Sequence, residues 1–229
     1  MMEKEIYLRA ENIVKTFSVP GGSFTALKDV SLSVPEGSFV ILKGRSGSGK
    51  TTLMNILSSL DDPTSGEVFI KDRPLKQLNE KEREVLRRKE FGFVFQSVSL
   101  LPSLNAFQNV EFSMRMAGLK IGNETNKRVE ECLSFVGLSN RALHMPQEMS
   151  GGEQQRVAIA RSFAHRPRMI FADEPTAELD SQMAARVASL FSEMSKKENI
   201  TVFMITHDMG LLDAADMVIE LENGVKISG

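Results

Sequence analysis

The 229-residue sequence holds one cysteine, Cys132, which excludes an internal disulfide. Cys132 stands among Val129, Leu133 and Val136 at helical spacing and reads as a core thiol. Charge of one sign is also lacking: 28 Lys and Arg face 30 Asp and Glu, a net charge of -2. Interspersed charge of this kind leaves no electrostatic footprint for nucleic acid or anionic membrane, so no nucleic-acid partner is expected. No apolar run approaches the roughly 20 residues of a membrane span, and Glu3, Lys4 and Glu5 do not begin a signal peptide. The chain is therefore expected not to cross a membrane by itself. Repeats, low-complexity tracts and long heptad runs are missing too, as expected of a chain compact from end to end.

What is present is enough apolar residue, 41%, to fill the core of one large domain or of a core with a smaller inserted lobe. Ser31–Val34 alternates as a half-buried strand, and Phe39–Leu42 is a short apolar run suited to burial on both faces. A glycine-rich segment follows, then Leu53, Ile56, Leu57 and Leu60 on one face of a helix that Asp61-Asp62-Pro63 stops. Further strands are predicted at Glu67–Ile70, Gly92–Phe95, Met169–Ala172 and Thr201–Ile205, the last three as central strands. From Gln96 to about Pro167 the periodicity is helical. Met217–Leu221, Asn223-Gly224 and Val225–Ile227 read as a closing hairpin.

Gly44-Arg45-Ser46-Gly47-Ser48-Gly49-Lys50-Thr51 fits G-x-x-x-x-G-K-[ST] between a buried strand and a helix. Glycines let backbone N–H groups converge on phosphate oxygens, Lys50 reaches the β and γ phosphates, and Thr51 can ligate Mg²⁺. A plain glycine-rich turn would leave Lys50 and Thr51 unexplained, so nucleotide binding follows. Met169–Ala172 then runs into Asp173 and Glu174, at the strand end where open α/β sheets place ligands. Asp173 is suited to hold the metal and Glu174 to take a proton from an attacking water, although two acids after a strand also suit a solvated turn or helix cap. His207 ends the run Val202–Thr206 in a similar place, suited to donate to a γ-phosphate. His144 and His165 have no such setting and read as surface residues.

Ser150-Gly151-Gly152-Glu153 precedes the apolar segment Val157–Ala160, which puts serine and two glycines at a helix N-terminus, a second anion site in one chain. Together these motifs resemble the ATP-binding-cassette (ABC) ATPases. In order they run from the phosphate loop through Gln96, Ser150–Glu153, Asp173-Glu174 and Glu178-Leu179-Asp180 to His207. The resemblance implies a phosphate-loop NTPase core of α/β class with a mixed sheet, about 1–96 and 168–229, and an inserted α-helical subdomain, about 97–167. It implies a homodimer in which each ATP lies between the phosphate loop of one copy and the Ser150 segment of the other. Gly44, Ser46, Gly47, Ser48, Gly49, Lys50, Thr51 and Thr52 would hold the nucleotide on one side, and Ser150, Gly151, Gly152 and Glu153 on the other. Gln96 would touch the Mg²⁺ and the water, Asp180 would reach across the dimer, and His207 would hold the γ-phosphate. Adenine would stack on Phe17, whose alternative is a core position following Ile13 and Val14. Arg45, Met149, Glu153 and Ala177-Glu178 depart from the family pattern without removing a catalytic group.

Phe93–Gln96, Leu100-Leu101-Pro102 and Asn109-Val110-Glu111 look like the lipoprotein-release and macrolide-exporter group, which implies a few-span permease at the cytoplasmic face of the membrane. A DNA-repair or ribosome-rescue ATPase would need a long coiled coil or a second cassette, and a small-molecule kinase would leave Ser150–Glu153 unexplained. Val98, Leu100 and Leu101 fall in a loop, which predicts either exposed apolar surface for docking or an anchor between lobe and core.

Overall fold

The computed structural model describes residues 5–177 and 179–229, so Glu3, Lys4 and Glu178 lie outside the described residues. Along the chain come β1 (Ile6–Val19), β2 (Gly22–Pro35), β3 (Phe39–Lys43), α1 (Lys50–Leu57), β4 (Ser65–Ile70), β5 (Arg73–Pro74), α2 (Glu80–Glu90) and β6 (Phe91–Val94). They are followed by α3 (Ala106–Met116), α4 (Asn123–Phe135), α5 (Gly151–Phe163), β7 (Met169–Asp173), α6 (Ser181–Glu198), β8 (Thr201–Ile205), β9 (Met217–Glu222) and β10 (Val225–Ser228). One sheet is mixed, in the order β10-β9-β3-β8-β7-β6, with β10 antiparallel to β9 and the other pairs parallel. The other, β2-β1-β4-β5, is antiparallel. This is the expected α/β class, a phosphate-loop core with a mixed sheet and inserted helices.

The apolar runs sit in the middle of the mixed sheet because both of its faces are covered. Alternate residues of one strand feed two different apolar clusters, as a period of two requires. Phe39, Ile41, Ile170, Ala172, Val202 and Met204 pack with residues of α3, α4, α5 and α6. Val40, Leu42, Met169, Phe171, Phe203 and Ile205 pack with α1 and the antiparallel sheet. Cys132 is fully buried in the first cluster, where desolvation pushes its thiol up to about 12, so it is an inert core group.

The structure departs from the sequence expectation in five places. The strand predicted at Gly92–Phe95, β6, is an edge strand; it is apolar because α5 lies directly on it, so closely that a Cβ at Gly92 would collide with the Ser162 carbonyl oxygen. β1 escapes sequence reading because bulges break its alternation, including one around Asn12 at φ 51°. α2 has no fully buried residue and so no apolar stripe, although Asn79 and Glu82 form a capping box at its start. α1 stops at Leu57 and leaves Leu60 46% exposed. His165 is half-buried rather than on the surface: its Nε2 lies 3.0 Å from the Phe91 carbonyl oxygen, and burial holds its pKa below the usual value.

Candidate nucleotide and catalytic site

The loop between β3 and α1 turns on Gly49, whose φ of 100° is left-handed and whose Cβ, if present, would stand 2.8 Å from the Ala26 carbonyl oxygen. Lys50 opens α1 and curls back, donating from Nζ to the carbonyl oxygens of Gly44 at 2.8 Å and Arg45 at 3.1 Å. An ammonium has three protons, so one is left for an anion. Ser48 Oγ is buried without a hydrogen-bond partner among the described residues. The loop borders a cavity of about 690 Å³ that also takes in Phe17, Thr51, Thr52, Gln96, Asp173, Glu174 and His207.

β7 and β8 run parallel with Asp173 opposite Ile205, so the residues just after both strands meet at one edge of the sheet. Thr51 Oγ1 donates to Asp173 Oδ2 at 3.1 Å across that edge. Desolvation, and then the neighbouring Glu174 carboxylate, hold the Asp173 carboxyl above its usual range, while Thr51 and Lys50 pull the other way. A desolvated carboxyl bonded to a hydroxyl, with the Gln96 amide on the same cavity, is a hard-oxygen set that fits Mg²⁺ bound with phosphates. Glu174 takes a φ of 48°, unusual for a side chain of its size, and its N–H donates to the Ile205 carbonyl oxygen at 3.0 Å. That turn sets Glu174 Oε2 2.6 Å from His207 Nδ1.

Phe17 is not a core residue. It is 38% exposed at the cavity, and the Lys15 ammonium lies 5.1 Å from its ring centre. Sequence reading missed Phe24, which pairs with Phe17 across β1 and β2, lines the same cavity and is 55% exposed. The Pro20-Gly21-Gly22 turn was the available signal, because a hairpin folded there sets Phe17 and Phe24 opposite each other in register.

The second predicted anion site lies elsewhere. Ser150, Gly151, Gly152, Glu153 and Asp180 are not among the residues lining the cavity. Ser150 caps α5: its Oγ accepts the Glu153 N–H at 3.3 Å, while Glu153 Oε2 accepts the Ser150 N–H at 2.9 Å. Asp180 caps α6 by accepting the Met183 N–H at 3.0 Å. Thus one predicted group is gathered and the other stands apart.

Val98, Leu100 and Leu101 are only half-exposed, with Leu100 packed on the helical cluster and the Leu101 backbone bonded on both sides by Asn109. The exposed apolar surface lies beside them instead. Leu60, Phe95, Phe112 and Met116 line a groove of about 380 Å³ that Phe93, Arg87, Arg88 and Arg161 also border. Among the described residues no helix is long and apolar enough to cross a membrane.

The sequence profile of the family described as ABC transporter matches residues 27–177. An uncharacterised ABC transporter ATP-binding protein of Methanocaldococcus jannaschii is 43% identical over 95% of this chain and 96% of its own length. The lipoprotein-releasing system ATP-binding protein LolD of Saccharophagus degradans is 38% identical over 95% of both. The solved dimer of the ATP-binding cassette MJ0796 in a post-hydrolysis state with ADP and Pi superimposes with a TM-score of 0.89, at 39% identity over 96% of each chain.

Proposed function

This chain belongs to the ABC transporter family, and from that premise we propose how its residues divide the work of an ATP-hydrolysing transporter subunit. The chain converts ATP and water to ADP and phosphate, works as a dimer of two copies and serves a membrane permease. In each copy Lys50 and the loop from Gly44 to Thr52 bind the phosphates, and Phe17 stacks on adenine. Mg²⁺, held by Thr51 and Asp173 with Gln96, supplies charge neutralisation at the phosphates when bound. Glu174 takes the proton of the attacking water, and His207, which lies beside Glu174, donates to the γ-phosphate. The partner's Ser150 completes the site across the dimer, with Asp180 at the junction.

The observation that carries this reading is the separation just described. One chain gathers Lys50, Thr51, Asp173, Glu174 and His207 around one cavity, and the Ser150 helix end stands outside it. A closed dimer explains both. The test is the dependence of specific activity on protein concentration: turnover per chain is expected to rise with concentration until the dimer saturates. Constant turnover per chain, with the protein monomeric on a sizing column, would reject the composite site.

For the permease we infer a few-span partner of the lipoprotein-release type at the cytoplasmic face of the membrane, supported by the likeness to LolD. The groove of Leu60, Phe95, Phe112 and Met116 fits a short amphipathic helix, and Phe95 on its wall is next in sequence to Gln96, which lines the nucleotide cavity. Phe112→Glu is expected to abolish co-purification with the permease while leaving ATP affinity and melting temperature unchanged.

A further inference from the structure

The Ser150 hydroxyl has one proton, and Glu153 already holds it. Ser150 Oγ lies 3.0 Å from Glu153 Oε2, the same oxygen that accepts the Ser150 backbone N–H. The other carboxylate oxygen accepts Arg141 Nε at 3.0 Å, from the turn Ser139–Arg141 that precedes the helix. The Arg141 guanidinium is steadied in turn by His144, whose Nε2 lies 3.1 Å from Nη1. The Ser150 backbone N–H, more than the hydroxyl or Arg141, holds the Glu153 carboxyl below its usual range, so the group is anionic at working pH.

A phosphate arriving at this helix end therefore meets two obstacles of known chemistry. The hydroxyl that would donate to it is committed to a carboxylate, and the carboxylate carries the phosphate's own sign. The helix N-terminus favours the anion, and Arg141 offsets the carboxylate.

We propose that Glu153 restrains Ser150, withholding its hydroxyl proton from the ATP on the partner copy until closure breaks the Ser150–Glu153 bond, and that Arg141 is the positioning residue that keeps the released carboxylate away from the phosphate. This rests on the composite site of the preceding subsection. Glu153→Gln keeps an oxygen for the helix cap but loses the charge, so its hold on the Ser150 proton weakens from a charge-assisted to a neutral hydrogen bond. Arg141→Ala keeps the restraint and removes its counter-charge. The two therefore act in opposite directions on closure, which a purely structural cap would not produce.

The experiment is ATP-dependent dimerisation in the Glu174→Gln background, where hydrolysis does not drain the closed state, followed by light scattering alongside ATP affinity of the monomer and melting temperature. Glu153→Gln is expected to lower the ATP concentration at half-maximal dimer by about threefold, and Arg141→Ala to raise it by about as much, the range of a partly exposed charge pair. Arg141→Lys should fall between wild type and Arg141→Ala, and Arg141→Ala should have no effect once Glu153 is Gln. If Glu153→Gln weakens dimerisation, or Arg141→Ala acts equally in both backgrounds, Glu153 is only a helix cap and the restraint is wrong. Should Glu153→Gln fold poorly, the Arg141 pair decides: unchanged dimerisation in both variants overturns the proposal. A Glu174→Gln background that never dimerises overturns the composite site itself, and the restraint with it.

Discussion

The phosphate-loop cavity and the N-terminus of α5 carry the two groups proposed to receive phosphate, yet they are organised to different degrees. Around the cavity, Lys50 is tied to the Gly44 carbonyl, Thr51 to Asp173 and His207 to Glu174 by hydrogen bonds within one chain, across strands whose parallel register brings their ends together. At α5, Ser150 and Glu153 satisfy each other and Arg141, and among the described residues none of Lys50, Thr51, Asp173, Glu174 and His207 is a hydrogen-bond partner of either. On the proposed reading, the half-site gathered within one chain supplies nucleotide binding and the base, while the self-satisfied helix end of the other copy completes it, so closure is the step that a permease would govern.

Glu174→Gln separates the two regions most sharply, because it touches only the first. It removes the base while keeping shape, and phosphate release is expected to fall by about 10²–10⁴-fold. The ATP-dependent dimer should persist on a sizing column, since the α5 end is intact. Near-normal hydrolysis would mean that Glu174 is not the base.

A smaller effect is expected at the rim of the same cavity. Phe17→Ala should raise the ATP concentration for half-maximal activity by about tenfold, the order of one lost stacking contact. Phe24→Ala should have a smaller effect, since Phe24 is the more exposed ring. The reverse ranking in a nucleotide titration would move adenine onto Phe24.

The smallest effect concerns stability. The Asp173 carboxyl has its folded pKa above the unfolded value, because desolvation outweighs its partners. Between those two values the folded state binds more protons than the unfolded one, so stability falls as pH rises through that window. Near neutral pH, Asp173→Asn should therefore raise the melting temperature of the nucleotide-free protein slightly while it loses Mg²⁺-dependent turnover. A lower melting temperature in calorimetry would mean that the Thr51 bond dominates.

The contrast between the two regions also explains what could be read from sequence. The phosphate loop, Asp173-Glu174 and His207 follow apolar runs buried on both faces, so local pattern placed them at strand ends and the parallel register brought them together. The Ser150 cap was legible for the same local reason. Features that depend on tertiary irregularity were not: the bulged β1 strand, α2 without a buried stripe, Phe24 across the hairpin, and Arg141, which precedes Glu153 by 12 residues and meets it only because the intervening turns fold back. Leu100 and Leu101 show a further limit. Apolar residues in a loop are equally consistent with a contact surface and with an anchor, and here the anchor is Asn109 while the exposed surface is made by Phe95, Phe112 and Met116.

The composite site is tested most directly by mixing two inactive chains, Lys50→Ala and Ser150→Ala. Each alone should hydrolyse little ATP, and only Lys50→Ala should lose ATP binding as a monomer, because Ser150 serves the partner's nucleotide. In the mixed dimer one site keeps both Lys50 and Ser150, so random pairing should restore about a quarter of wild-type turnover if that site works alone. Activity that stays at the sum of the two parents at every mixing ratio, with mixed dimers present, would contradict the account, as would a Ser150→Ala monomer that no longer binds ATP.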